Sequence, residues 1–73
     1  MTNSETGVPL QVCRRILRKT GYRASTSACT VLRQAMAEYA EILSREAKAL
    51  TTHRGARTIS GEDILLAIEL MEE

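Results

Sequence analysis

Five cations without an intervening acid form the stretch of this sequence best suited to binding chemistry. Between Val8 and Ser25 the basic residues are Arg14, Arg15, Arg18, Lys19 and Arg23, and no Asp or Glu separates them. Cations grouped in this way attract polyanions. A basic cluster on a helix is more often a solvated face. Here the lack of acids favours a polyanion-binding site.

The net charge of +1 conceals an uneven distribution of charge along the 73 residues. Arg54 and Arg57 add cations after a long, charge-balanced middle segment. The chain from Ile59 onward has no cation and five acids, which are Glu62, Asp63, Glu69, Glu72 and Glu73. One part of the chain is thus basic and the other acidic, which indicates an oriented binding surface.

The sequence offers no set of residues typical of an enzyme or a metal site. His53 is the only histidine, and Cys13 and Cys29 form no CxxC pair. No phosphate-binding glycine loop and no metal-ligand spacing is present. We therefore expect no catalysis, no metal and no cofactor, and we predict that both cysteines are small, reduced, buried residues.

Turn residues divide the chain into three predicted helices. The first runs over about Pro9–Thr20 and is stopped by Gly21. The second runs without Gly or Pro from its cap at Ser25 to Thr52, about 40 Å at 1.5 Å per residue. The third covers about Gly61–Met71 after a cap at Ser60.

Two apolar stripes run along the long helix. The first consists of Cys29, Leu32, Met36, Tyr39, Leu43 and Leu50, and the second of Ala28, Val31, Ala35 and Ile42. A helix packed on one layer needs one such stripe. Two stripes predict packing on two sides, and the short flanking helices cannot supply both, so we expect a partner chain. Leu32, Met36, Tyr39 and Leu43 are the predicted dimer core.

The predicted domain occupies residues 9–73 and follows a polar, disordered lead of residues 1–8. The start of the sequence has no basic segment followed by an apolar one, as a secretory signal would. No apolar run approaches the length of a membrane span. We expect a soluble, intracellular protein.

The order and spacing of these segments resemble the histone fold. The resemblance is carried by Pro9–Gly21 (PLQVCRRILRKTG), by residues 35–52, and above all by His53–Ile68 (HRGARTISGEDILLAI). The last stretch resembles archaeal histones, and also the histone-fold subunits of CCAAT-binding transcription factors. The resemblance implies an all-α handshake homodimer in which the long helices cross.

The resemblance also implies which residues meet DNA. Arg15 and Arg18 match basic positions of the first helix that face DNA, and Arg23 matches a first-loop Arg that approaches the minor groove. Arg57 and Thr58 match the basic–Thr pair of the second loop. Such binding depends on phosphates and groove shape rather than base edges. It implies a minimal histone that wraps or compacts double-stranded DNA, associated with the chromosome in the cytoplasm.

A further set of matches concerns association between dimers. In archaeal histones a His at the place of His53 pairs with the Asp matching Asp63 across a four-helix contact, where Leu50 matches the apolar partner. The resemblance therefore implies tetramers or larger assemblies. The alternative is a histone-fold component of a transcription-factor-like complex, which acts mainly through a protein partner.

The sequence departs from the family pattern at two places. Ala56 stands where the family usually has an Arg that clamps the Asp matching Asp63, so we expect that ion pair to be lost and Asp63 to be freer. The first loop is about one residue short near Tyr22, which affects the placement of Arg23. Lys19 and Arg54 add charge without a family match.

Overall fold

The computed structural model describes residues 8–73, which form three α-helices and no β-strand. Helix α1 spans Leu10–Arg18, α2 spans Thr26–His53 and α3 spans Gly61–Met71. The predicted all-α, short–long–short order is confirmed. Residues 1–7 of the predicted lead lie outside the described residues. Within residues 8–73, no helix combines the length and the apolar character needed to cross a membrane.

Local signals set the connection between α1 and α2 as the sequence predicts. Gly21 has a φ of +91°, and its N–H donates to the Arg18 carbonyl at 2.9 Å. A glycine carries no Cβ penalty in this left-handed region, so it can turn the chain after α1. Ser25 then caps α2, because its Oγ accepts a hydrogen bond from the Ala28 N–H at 3.0 Å.

The end of α2 has the two hydrogen bonds of a Schellman turn. The N–H of Gly55, whose φ is +78°, donates to the Thr52 carbonyl at 2.9 Å, and the Ala56 N–H donates to the Thr51 carbonyl at 3.1 Å. Helix α3 begins with a capping box between Ser60 and Asp63, in which each side chain accepts a hydrogen bond from the other's backbone N–H.

The internal contacts divide the chain into two compact units. The first ends at Glu38 and contains α1 with the first half of α2. Cys13 and Cys29 are fully buried there as free thiols, and the Cys13 Sγ lies 3.9 Å from the Met36 Sδ. The predicted burial of both cysteines is confirmed.

The second unit runs from Tyr39 to Glu73 and contains the second half of α2 with α3. Its fully buried apolar residues are Ala47 and Ala67, and its buried polar residues are Thr51 and Asp63. This polar pair joins the end of α2 to the start of α3.

Both units bury small side chains and leave large apolar ones uncovered. Among the described residues, the fully buried apolar side chains are those of two cysteines and two alanines. Val31 in the first unit is 65% exposed and Leu65 in the second is 62% exposed. Exposure of this kind on several helix faces is typical of chains that complete their core with a partner.

Candidate nucleic-acid interface

Arg14 fixes the loop between α1 and α2. Its guanidinium donates to the Ala24 carbonyl at 2.6 Å and lies 3.4 Å from the Thr26 Oγ1. Arg14 is half-buried, unlike its neighbour Arg15. The sequence grouped Arg14 with the other cations of the predicted polyanion-binding cluster, whereas its contacts give it a structural role in the loop.

Three predicted DNA-binding cations of the first unit remain free to meet a ligand. Arg15 and Arg18 lie in the last turn of α1, and Arg23 lies in the loop that Arg14 holds. All three are exposed, and none forms an ion pair or side-chain hydrogen bond within residues 8–73. Cations near a helix C-terminus also interact favourably with the helix dipole, so the two on α1 have a structural use as well.

An ion pair holds the second loop, between α2 and α3. Arg54 donates from Nε to Asp63 Oδ1 at 3.1 Å and from Nη2 to Asp63 Oδ2 at 2.7 Å. The same Nη2 lies 3.3 Å from the Thr58 carbonyl. Arg54 therefore ties the loop backbone to the first turn of α3 through a two-point contact with the carboxylate.

The Asp63 carboxylate accepts two further hydrogen bonds. The Thr51 Oγ1 donates to Oδ2 at 2.7 Å, and the Ser60 N–H donates to the same oxygen at 2.9 Å. Asp63 is only 5% exposed. The Arg54 guanidinium, followed by the Ser60 N–H and the Thr51 hydroxyl, holds the pKa of Asp63 far below its usual range. Asp63 in turn raises the pKa of Arg54.

The expectation that Asp63 loses its ion pair is wrong. Ala56 cannot provide a guanidinium, but Arg54 provides one from two residues earlier. Arg54 directly follows α2, and the left-handed Gly55 turns the chain there, so the Arg54 side chain reaches the start of α3. Asp63 is consequently bound rather than freer, and the second loop is held.

Arg57 and Thr58 occupy the part of this loop that faces solvent. Both are exposed, and neither side chain forms a hydrogen bond or ion pair within the described part of the chain. The second loop therefore shares a feature with the first: one Arg binds the loop backbone, and another Arg is exposed. Arg54 and Arg14 hold the loops, and Arg57 and Arg23 remain available.

The residues predicted for association between copies lie as follows. Of the dimer–dimer set, all in the second unit, Leu50 is half-buried, His53 is exposed and Asp63 is buried. Of the predicted dimer core, Leu32, Met36 and Leu43 are half-buried and Tyr39 is exposed. These four residues are divided between the two units, with Leu32 and Met36 in the first.

Sequence reasoning missed three residues that build the loops: Arg14, Thr51 and Arg54. Thr51 was predicted only as part of the long helix, but its buried hydroxyl donates a hydrogen bond to a carboxylate 12 positions away. Its spacing to Asp63 gives no local signal. The presence of a second Arg two residues before Ala56 was the one clue to the Arg54 contact.

Comparison with known proteins identifies the class to which these helices and loops belong. Residues 6–68 match the family described as histone-like transcription factor (CBF/NF-Y) and archaeal histone. The chain is 32% identical over 63 residues to one of the subunits of archaeal histone HAN1 from Thermococcus zilligii, a match that covers 85% of this chain and 94% of that protein.

The class is thus the histone fold, with short helices on either side of a long one. More particularly, the chain belongs to the family of histone-like transcription factors and archaeal histones. It is a histone-like DNA-binding protein, and it is not an enzyme.

Proposed function

We propose that the protein is a minimal histone that binds double-stranded DNA as a homodimer, with little sequence preference, and wraps or compacts it. The observation that carries this proposal is the way in which each loop, taken by itself, is held. Each loop is held by an internal Arg and leaves another Arg, Arg23 or Arg57, exposed. Exposed cations on held loops suit phosphate contacts and insertion into a minor groove.

The uncovered apolar surface supports the homodimer. The fully buried apolar side chains of residues 8–73 are those of cysteine and alanine, so this part of the chain has little core of its own. A second copy offers the same exposed side chains, including Val31 and Leu65, in a self-complementary arrangement. In this proposal the dimer is associated with the chromosome in the cytoplasm.

The alternative function is that of a histone-fold component that acts mainly through a different protein chain. The acidic third helix favours this alternative, because α3 carries no cation in its last turn and is followed directly by Glu72 and Glu73. Acids at a helix C-terminus oppose the helix dipole, and a cationic partner would relieve that repulsion. The two functions differ in whether the protein alone forms a stable, DNA-binding dimer.

Larger assemblies through Leu50, His53 and Asp63 are part of the proposal. The Asp63 carboxylate already accepts three hydrogen bonds at Oδ2 and one at Oδ1. A His53 from another dimer would therefore approach Oδ1, where an acceptor position is left. DNA fragments protected from nuclease should be longer for the parent protein than for His53→Ala. Equal lengths would remove this contact from the proposal.

The decisive experiment is a salt titration of binding to a duplex of about 60 bp. Each phosphate that a cation neutralises adds about 0.9 to the slope of log K against log salt. Arg57→Ala should weaken binding similarly on duplexes of different sequence and lower this slope by about one unit. Arg45→Ala is the matched control, since it removes one exposed cation of α2 that has no proposed DNA contact.

Two results would reject the proposal. If a well-folded dimer failed to bind DNA even at low salt, the partner-dependent function would replace it. If Arg57→Ala weakened binding on one sequence only, binding would depend on base edges and not on the phosphate backbone.

A further inference from the structure

Tyr22 is the most exposed large apolar side chain among the described residues. It is 80% exposed, against 65% for Val31. The chain has two tyrosines, no phenylalanine and no tryptophan, and its other tyrosine, Tyr39, is 46% exposed. Tyr22 is directly followed by Arg23 in the first loop. Neither the family resemblance nor the charge pattern assigns it a role.

The backbone on both sides of Tyr22 is fixed by hydrogen bonds. Its own N–H donates to the Thr20 Oγ1 at 3.2 Å, and that hydroxyl donates to the Leu17 carbonyl at 2.8 Å. Two residues later, the Ala24 carbonyl accepts the hydrogen bond from Arg14. The backbone that carries Tyr22 is therefore held on both sides, and the ring itself is exposed.

The charges around Tyr22 favour a nucleic acid as its ligand. Lys19 and Arg23 lie three residues before it and one residue after it, and no acid occurs between Val8 and Ser25. If a second copy of this chain met Tyr22 with either loop, the cations of that loop would repel those around Tyr22. An aromatic ring among cations offers DNA an apolar contact beside its phosphate contacts.

We propose that Tyr22 is a DNA-contacting residue whose ring packs against sugars and base edges of the groove that Arg23 approaches. This inference rests on the proposed DNA binding and adds a non-ionic contact to it. The ring buries apolar surface and neutralises no phosphate. Its contribution therefore differs in kind from that of the arginines, because it does not release counterions.

The dependence of affinity on salt separates the two kinds of contact. Tyr22→Ala should weaken binding to the 60-bp duplex roughly tenfold at every salt concentration, with the slope unchanged. Arg23→Ala should instead lower the slope by about one unit. Tyr22→Phe keeps the ring and should bind as the parent does. Equal losses for Phe and Ala would show that the hydroxyl carries the contact, which would overturn the proposal.

A fluorescent variant tests the contact without removing the ring. Tyr22→Trp introduces the single tryptophan of the chain, and its emission should be quenched and shifted when the duplex is added. If the parent protein binds DNA but the emission of Tyr22→Trp stays unchanged in a saturated complex, the role of Tyr22 is rejected. The proposed DNA binding would then stand without it. Loss of dimer stability in Tyr22→Ala with unchanged DNA affinity of the remaining dimer would also reject it, and would assign the ring to the partner chain. Failure of the parent to bind DNA would reject the proposed function itself.

Discussion

Replacement of Thr51 by valine tests the hydrogen-bond network that joins α2 to α3. Thr51 is 3% exposed, and its hydroxyl lies 2.7 Å from Asp63 Oδ2 and 2.9 Å from the Ala47 carbonyl. A hydroxyl has one proton, and the charged acceptor at the shorter distance binds it more strongly. Thr51→Val keeps the shape of the side chain and removes that donor.

The expected loss of folding free energy in Thr51→Val follows from the charge of the acceptor. A hydrogen bond to a charged group contributes roughly 1.5–3 kcal/mol, and we take about 1.5 kcal/mol because Asp63 keeps its bonds from Arg54 and Ser60. At about 2.1 cal/mol/K per residue, the unfolding entropy of 73 residues is roughly 0.15 kcal/mol/K. The Tm should therefore fall by roughly 10 °C. A homodimer carries two substitutions and twice the entropy, so the shift is the same.

The assay is thermal unfolding by circular dichroism at one protomer concentration, since the stability of a dimer depends on concentration. Thr52→Val is the matched control, because Thr52 is exposed on the same helix and its side chain forms no hydrogen bond within residues 8–73. It should change stability by no more than about 0.5 kcal/mol. Equal shifts for Thr51→Val and Thr52→Val would refute the assignment of the Thr51 hydroxyl to Asp63. In an Asp63→Asn background the effect of Thr51→Val should shrink, since the acceptor has lost its charge.

Two further predictions concern the same region. Gly55→Ala should lower the free energy of unfolding by about 1–2 kcal/mol, because the φ of +78° strains a residue that has a Cβ. The added Cβ meets no atom within 4 Å, so backbone strain is the whole penalty. Gly61→Ala, a helical position with equal space, should instead be neutral or stabilising, and a destabilisation as large as that of Gly55→Ala would contradict this account. The pKa of Asp63 is lowered on folding, so its ionised carboxylate contributes its full stabilisation when the pH is above the ordinary Asp pKa of about 3.9. This contribution to the free energy of unfolding is lost as the pH falls towards the lowered pKa of the folded state. The difference in Tm between the parent and Asp63→Asn should therefore narrow when the pH is lowered from about 6 to about 2.5, and a constant difference would mean that Asp63 titrates normally.

The helices could be predicted from sequence because their ends depend on local chemistry. Ser25 and Ser60 satisfy backbone donors within three residues, and Gly21 and Gly55 allow turns that other residues resist. The third helix was predicted with the bounds that the structure has. Such signals need no knowledge of the tertiary path.

The contacts that hold the loops could not be predicted in the same way. The pairing of Arg54 with Asp63 depends on the direction in which Gly55 turns the chain, and position-by-position comparison with the family pointed to residue 56 instead. Arg14 illustrates the same difficulty, since its acceptor lies ten residues away across a loop. The exposed residues Arg23, Arg57 and Thr58 were proposed from family resemblance, because an exposed side chain gives no local signal of the ligand that it binds.

The four hydrogen bonds at Asp63 have a consequence for motion within the second unit. The carboxylate of Asp63, in the first turn of α3, contacts the last turn of α2 through Thr51, the loop through Arg54, and the N-cap of α3 through Ser60. Opening any one of these segments breaks bonds to the same two oxygens, so they should open together. In native-state hydrogen exchange, the protected amides of residues 55–63 should then share a single opening free energy, as a cooperative unit of the fold does.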